Sequence, residues 1–258
     1  RGLPAPPGAL AARRACHSFS AMTAERTPEG VVRVRANNPS PLTLDGTNTW
    51  VAAGWVIDPG PADPAHLEAV VAAAGGRIEG IVLTHGHSDH SEGAPELARA
   101  TGAEVHRPEG DGELGPFRVV HTPGHAPDHV CLILGDVCFT GDTVLGTGSV
   151  FIQPGEGSLG AYLRSLERLL ELDLAVLCPG HGPVVWDARG KLREYIDHRL
   201  ERERKLLAAL DRGLRTRDEL LDAAWDDAPP ELRPAALLTL EAHLEKLREE
   251  GRLPGDVR

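Results

Sequence analysis

Seven residues, Thr84-His85-Gly86-His87-Ser88-Asp89-His90, constrain this chain more than any other feature it carries. They follow the apolar run Gly80–Leu83, which reads as a buried strand that delivers them to one edge of a sheet. Imidazoles at i and i+2 of an extended segment can converge on one point, and Asp89 and His90 then face a neighbouring position. Three imidazoles and a carboxylate in six residues are donors of the kind zinc prefers. The plain alternative, a solvated loop that happens to be rich in histidine, fits poorly, because histidine is not a common loop filler.

Three later segments repeat the order of apolar strand, tight turn and donor. They are Val119-Val120-His121-Thr122-Pro123-Gly124-His125, Cys138-Phe139-Thr140-Gly141-Asp142 and Ala175-Val176-Leu177-Cys178-Pro179-Gly180-His181. The glycines before His125, Asp142 and His181 let the backbone approach closely or take positive φ. Each segment alone reads as a capped strand end. Together with the first they make seven candidate metal ligands: His85, His87, Asp89, His90, His125, Asp142 and His181. Of the chain's 12 histidines, eight lie between His85 and His181, so the histidine content is concentrated where this pattern lies.

Between Val31 and Ala188 short apolar strands alternate with helical segments. Strands are expected at Val31–Arg35, Thr49–Ile57, Gly80–Leu83, Phe117–Val120, Val130–Leu134, Val137–Phe139 and Ala175–Leu177. Helices are expected at Pro64–Ala74, Gly93–Thr101 and Leu159–Leu170. Such mixing indicates an α/β sandwich with helices outside the sheets. Residues 31–190 are therefore read as the catalytic domain. Residues 191–258 read as a small all-helical domain with helices at Lys191–Arg212, after Thr216, and at Pro234–Glu250, the last with Leu237, Leu240, Leu244 and Leu247 on one face. Residues 1–30, rich in Ala, Pro and Arg with no acid before Glu25, read as a disordered leader or as upstream sequence, with Met22 the native start.

The order THGHSDH, TPGH, TGD and PGH resembles the metallo-β-lactamase-fold hydrolases, over about residues 31–188. The resemblance implies a four-layer αβ/βα sandwich with two zinc ions, or other divalent metals, along one edge of the facing sheets. By the same resemblance, His85, His87 and His125 hold the first ion, Asp89, His90 and His181 hold the second, and Asp142 bridges them. Zinc β-lactamases typically place Cys where Asp142 stands and lack the equivalent of His90, so antibiotic hydrolysis is disfavoured. A closer resemblance is to the β-lactamase-like protein 2 family. It is carried by Asn38-Pro39-Ser40-Pro41-Leu42-Thr43-Leu44-Asp45-Gly46-Thr47-Asn48-Thr49-Trp50, by Tyr162 and Leu166, and by Tyr195-Ile196-Asp197-His198-Arg199, which opens a winged-helix-like appendage. Members of that family include an endoribonuclease of single-stranded RNA, and related chains act on thioesters.

The leading expectation is thus a dinuclear zinc hydrolase in which Asp89 orients a metal-bound hydroxide. RNA phosphodiester is the first substrate expectation and an acyl, acyl-carrier or glutathione thioester the alternative. A non-catalytic scaffold is disfavoured, because seven ligands for two metals leave room for solvent whereas structural zinc sites are closed. Asp58 and Thr84 are candidates for orienting ligands. His121 and His129 are candidate neighbours of the site, expected not to be ligands themselves.

The formal charge of −11 excludes a generic nucleic-acid binder and makes double-stranded DNA a poor partner. Residues 191–258 hold 14 basic and 16 acidic side chains, so the appendage does not read as a DNA-binding module either. No apolar run is long enough for a transmembrane helix, and no membrane partner is expected. Four well-spaced cysteines fit a reducing compartment, hence a cytoplasmic protein, or a mitochondrial matrix protein in a eukaryote. A homodimer is the assembly held open.

Overall fold

In the computed structural model, residues 26–257 are described. Of the leader expected at 1–30, residues 1–25 lie outside that range, while the Arg26 guanidinium lies over the Trp186 ring at 4.2 Å. Two five-stranded sheets form the centre. The first has the order β1 (Val31–Arg35), β2 (Asn48–Ala52), β3 (Trp55–Ile57), β4 (Gly80–Val82) and β5 (Val105–His106). The second runs β10 (Val176–Pro179), β9 (Val137–Gly141), β8 (Val130–Leu134), β7 (Phe117–His121) and β6 (Gly112–Leu114).

Strand alternation explains the layers. In β2, Trp50 and Ala52 face the second sheet while Val51 faces outward, and in β8 Val130 and Leu132 face the first sheet while Cys131 and Ile133 face outward. The inner core joins Trp50, Ile57 and Val82 to Phe117, Leu132 and Phe139. Helices α1 (Pro64–Ala73) and α3 (Ala94–Thr101) cover the first sheet through Leu67, Val70 and Leu97. Helix α4 (Leu159–Leu170) covers the second through Leu159, Leu163, Leu166 and Leu169, the stripe visible in the sequence. The result is a four-layer α/β sandwich.

Three local expectations are corrected. Thr49–Ile57 is a hairpin, not one strand, because Ala53 (φ 48°) and Gly54 (φ 80°) form a tight turn that pairs Val51 with Val56. A one-turn helix α2 (Ser88–Ser91) lies inside the histidine motif. Leu237 is exposed rather than buried with Leu240, Leu244 and Leu247.

The C-terminal helices are α5 (Ala188–Asp211), α6 (Arg217–Ala224) and α7 (Arg233–Glu249). Thr216 and Glu219 close the capping box expected at the start of α6. Helix α5 crosses the 190/191 division. Its first half (Leu192, Tyr195, Ile196) sits in the core under α4, and its second half (Leu206, Ala209, Leu210) sits in the core of the appendage with Leu220, Trp225, Leu240 and Leu244. Among the described residues no strand follows α7, and no helix is long and apolar enough to cross a membrane.

Candidate metal centre

Every candidate ligand arises at or just beyond a strand end. His85 and His87 follow β4 and Asp89 and His90 lie on α2, while His125 follows β7, Asp142 follows β9 and His181 follows β10. Two groups of donors result, His85, His87, His125 and Asp142 in one and Asp89, His90 and His181 in the other, with the donor atoms of each group within 4.8 Å of one another. Asp142 lies between them. Its Oδ1 is 3.4 Å from His90 Nε2 and 3.3 Å from His181 Nε2, and its Oδ2 is 3.6 Å from His125 Nε2.

The surrounding hydrogen bonds decide which ring nitrogens are free. His90 Nδ1 donates to Asp58 Oδ2 (2.9 Å), and His125 Nδ1 donates to the Phe151 carbonyl (2.9 Å). Thr84 Oγ1 donates to Asp58 Oδ2 (2.7 Å) and accepts from His85 Nδ1 (3.0 Å). His87 Nε2 donates to Glu156 Oε1 (3.1 Å). The Nε2 atoms of His85, His90 and His125 and Nδ1 of His87 are thereby left as lone-pair donors facing inward.

This arrangement is a set of acceptors pointing at acceptors. His90 Nε2 and His181 Nε2 are 3.3 Å apart, His125 Nε2 and His87 Nδ1 are 3.1 Å apart, and Asp89 Oδ2 is 3.4 and 3.3 Å from His90 and His181. His85 Nε2 and Asp142 Oδ1 are buried with no hydrogen-bond partner. Only cations relieve such crowding, either protons or a metal ion. The separations are those of a tetrahedron's edges, since metal bonds of about 2.0–2.1 Å imply donor–donor distances of roughly 3.3–3.4 Å. The residues present therefore fit two divalent ions.

The electrostatics agree. Burial opposes charge on Asp142, yet His90 and His181 outweigh it and hold the carboxyl well below the usual range. Burial likewise opposes the His181 cation, but Asp142 and then Asp89 push its pKa up to about 9. His85 goes the other way: burial, then the neighbouring His90 and His129, drive it well below an ordinary histidine.

Asp58, Thr84 and His129 are brought to the centre, and His121 is not. Asp58 holds a strained φ of 51° and, besides His90 and the Thr84 hydroxyl, accepts from the Thr84 backbone N–H (2.8 Å). Replacing it by Asn is expected to lower affinity for the ion held by His90 by about ten- to a hundredfold. Thr84 N–H fixes the amide oxygen, so the amide NH2 turns toward His90 Nδ1 and drives the proton onto Nε2. Titration against a competing chelator reads this, and unchanged occupancy would remove Asp58 from the argument. His129 stacks on His85 (4.9 Å between centroids) and accepts from the Asp142 backbone N–H (3.1 Å), which makes it a support for the turn carrying Asp142. His121 donates to the Pro127 carbonyl (3.1 Å) and joins neither donor group.

Close packing at Gly180 offers a second test. A methyl group there would lie 2.6 Å from both Asp142 Oδ1 and His90 Cε1. Gly180→Ala is expected to lower bound metal with the circular dichroism spectrum unchanged. A full complement of metal would contradict the packing argument.

Sequence reasoning missed several residues of the site. Thr47 Oγ1 donates to Asp89 Oδ2 (3.2 Å), and Asn48 Nδ2 donates to the carbonyls of Pro179 (3.0 Å) and Gly182 (2.9 Å), tying the start of β2 to the end of β10. Both lie in the Asn38–Trp50 segment, whose polar pattern was the available signal. Glu156 and the pocket walls Leu42, Leu145, Val150 and Phe151 carried no such signal. The pocket they enclose has a volume of about 330 Å³ and opens onto His87, Asp89, His125, Asp142 and His181.

The family model for the metallo-beta-lactamase superfamily matches residues 42–117 and 104–181. The chain belongs to this superfamily. The metallo-beta-lactamase core is followed by a match to the beta-lactamase associated winged helix domain over residues 216–253. The beta-lactamase-like protein 2 homolog of Drosophila melanogaster is 32% identical over 270 residues, covering 88% of this chain and 91% of that one. The atrochrysone carboxyl ACP thioesterase of Aspergillus chevalieri is 33% identical over 246 residues, covering 83% of this chain and 79% of that one. Among solved structures, a metallo-beta-lactamase family protein from Thermus thermophilus superposes with a TM-score of 0.67 at 25% identity, covering 86% of this chain and 94% of that one. A further solved structure, of a protein in a di-iron-bound form, gives a TM-score of 0.52 at 28% identity, covering 61% of this chain and 96% of that one. The protein is accordingly a metallo-beta-lactamase superfamily hydrolase of the α/β class.

Proposed function

We propose that this hydrolase cleaves thioesters with the help of two divalent metal ions, one of which His85, His87 and His125 would hold and the other Asp89, His90 and His181, with Asp142 facing both sets. The observation that carries the substrate class is the pocket wall. No Lys or Arg among the described residues lines it, Leu42, Leu145, Val150 and Phe151 do, and the carboxylate of Glu156 stands among them. A polyanionic RNA strand needs cations and stacking surfaces along its track, whereas a thioester needs an apolar wall beside the reacting carbonyl. Kinship with a protein named an acyl-carrier thioesterase supports the same reading. The wall thus moves the balance away from RNA, the first expectation.

When bound, the ions supply Lewis acidity and activation of water near neutral pH. The donor set is one that zinc favours, and the di-iron neighbour makes iron the first alternative to test. Asp89, half-buried at the pocket and tied to Thr47, is the group placed to orient the attacking water and hold its proton. Glu156 fixes the ring of His87. Water adds to the thioester carbonyl, the C–S bond breaks, and the thiolate leaves to take up a proton, giving acid and thiol.

The test is a parallel assay of the zinc- and iron-loaded protein on an acyl thioester and on single-stranded RNA. Thioester cleavage that chelation abolishes and metal restores is expected. Metal-dependent RNA cleavage without thioester cleavage would overturn the proposal.

A further inference from the structure

A second cavity of about 370 Å³ lies against the catalytic pocket, and Leu42, Leu145, Val150 and Phe151 are walls of both. From these shared walls the groove runs between the loop after β9 and the C-terminal helices, ending against Trp225, Pro229, Leu232 and Ala236. Its two lips carry large apolar side chains turned to solvent, Leu42 at 65% and Leu232 at 54% exposure. Singly such residues need no explanation, but here they flank one groove that shares four apolar walls with the catalytic pocket.

Two arginines of the groove are held by protein partners through their terminal nitrogens, while the Nε atom of each is buried without a hydrogen-bond partner, and His198 also lines the groove. Arg202 forms a two-pronged pair with Asp227 (2.7 and 3.1 Å) and donates to the Ala224 carbonyl (2.8 Å). Arg199 donates to Ser149 Oγ (2.9 Å) and to the Val150 carbonyl, pinning the loop that forms the shared wall. Both side chains are buried. Leu42, Leu44, Leu145, Val150, Phe151 and Trp225 give the groove a largely apolar wall, and both guanidiniums are buried and turned to protein partners, which suits a hydrocarbon segment better than a phosphate.

We propose that this groove is the acyl subsite, receiving the extended apolar chain of a thioester whose carbonyl lies at the metal centre. The inference rests on the thioesterase reading and adds to it the chain preference and the part the appendage plays. Trp225, Leu232 and Ala236 belong to that appendage, so the C-terminal domain determines how long a chain is accepted.

The experiment compares acetyl, hexanoyl and decanoyl thioesters of one small thiol on the metal-loaded protein. It is paired with quenching of tryptophan fluorescence by decanoate, a readout independent of turnover. Each methylene taken into the groove is expected to raise kcat/KM about two- to fourfold, chiefly through KM. Ala235→Phe, on the groove wall, is expected to reduce the decanoyl-to-acetyl ratio at least about tenfold, the worth of two or more displaced methylenes. Decanoate is expected to quench the wild type, with the signal assigned by Trp225→Phe and weakened by Ala235→Phe.

Thioester hydrolysis indifferent to chain length, in wild type and Ala235→Phe alike, would overturn the acyl subsite and leave the thioesterase reading standing. No hydrolysis of any thioester, with decanoate quenching that Ala235→Phe weakens, would overturn the thioesterase reading while supporting apolar-chain binding in the groove. Failure of both readouts would overturn both.

Discussion

Asp142→Ala is expected to reduce kcat by roughly three orders of magnitude or more and to lower bound metal from two ions per chain to one or fewer. One carboxylate faces both donor groups, with Oδ1 at 3.3–3.4 Å from His181 and His90 and Oδ2 at 3.6 Å from His125. Its loss takes a negative donor from both groups at once, whereas a histidine variant damages one. Metal assistance amounts to several kcal/mol of transition-state stabilisation, and each ~1.4 kcal/mol is tenfold in rate. The fold is expected to survive, because the substitution removes a buried oxygen that has no hydrogen-bond partner in the protein. Elemental analysis and turnover, read together, check this. Wild-type turnover with an unchanged metal content would dismantle the assignment of the centre.

The second large effect lies in the C-terminal appendage. His243 on α7 is fully buried, neither ring nitrogen has a hydrogen-bond partner, and its ring packs edge-on against Trp225 at 5.7 Å. Burial, reinforced by the positive charges of Arg199 and Lys246, lowers its pKa from 6.5 to about 3. The unfolded chain therefore binds one more proton than the native protein between these two values. Stability contributed by keeping this ring neutral is complete above pH 6.5 and is lost as pH falls toward 3.

Between pH 7 and pH 5 the loss amounts to about 2 kcal/mol. His243→Leu, apolar and of similar size, is expected to remove that part of the acid sensitivity while changing stability at pH 7 little. Urea unfolding at the two pH values, followed by tryptophan fluorescence, measures it. The metal ligands titrate equally in both proteins, so the difference between variant and wild type isolates His243. An identical pH dependence in the two would refute the argument.

The donors were legible in the sequence because a histidine or aspartate one residue after a strand and a turn glycine has few structural reasons to be there. Their pairing into two groups was supplied by family resemblance, since it depends on which strand ends share a sheet edge. The β2–β3 hairpin was not legible because Ala53 adopts a positive φ without the Asn or Gly that usually announces one. β5 and β6 are two and three residues long, too short for a periodicity to register. The pocket wall was also hidden: Leu42, Leu145, Val150 and Phe151 come from irregular segments brought together by contacts across the whole chain. The proposed choice between RNA and a thioester depends on those residues, whereas the hydrolytic centre itself depends on local motifs.

Helix α5 carries a practical consequence for anyone recombining relatives of this protein. At 24 residues it is about 36 Å long, and its two halves are rooted in different cores. A chimera joined at residue 190 would graft a foreign Leu192, Tyr195 and Ile196 under the host's α4, damaging the recipient before the donor had contributed anything. The workable crossover lies within the helix, after Ile196 and before Leu206, so that each half stays with the core in which it is rooted. By the same token, evolution cannot readily exchange this appendage as a cassette. Substrate range in such chains is expected to drift by substitution along the helix bundle and not by swapping it.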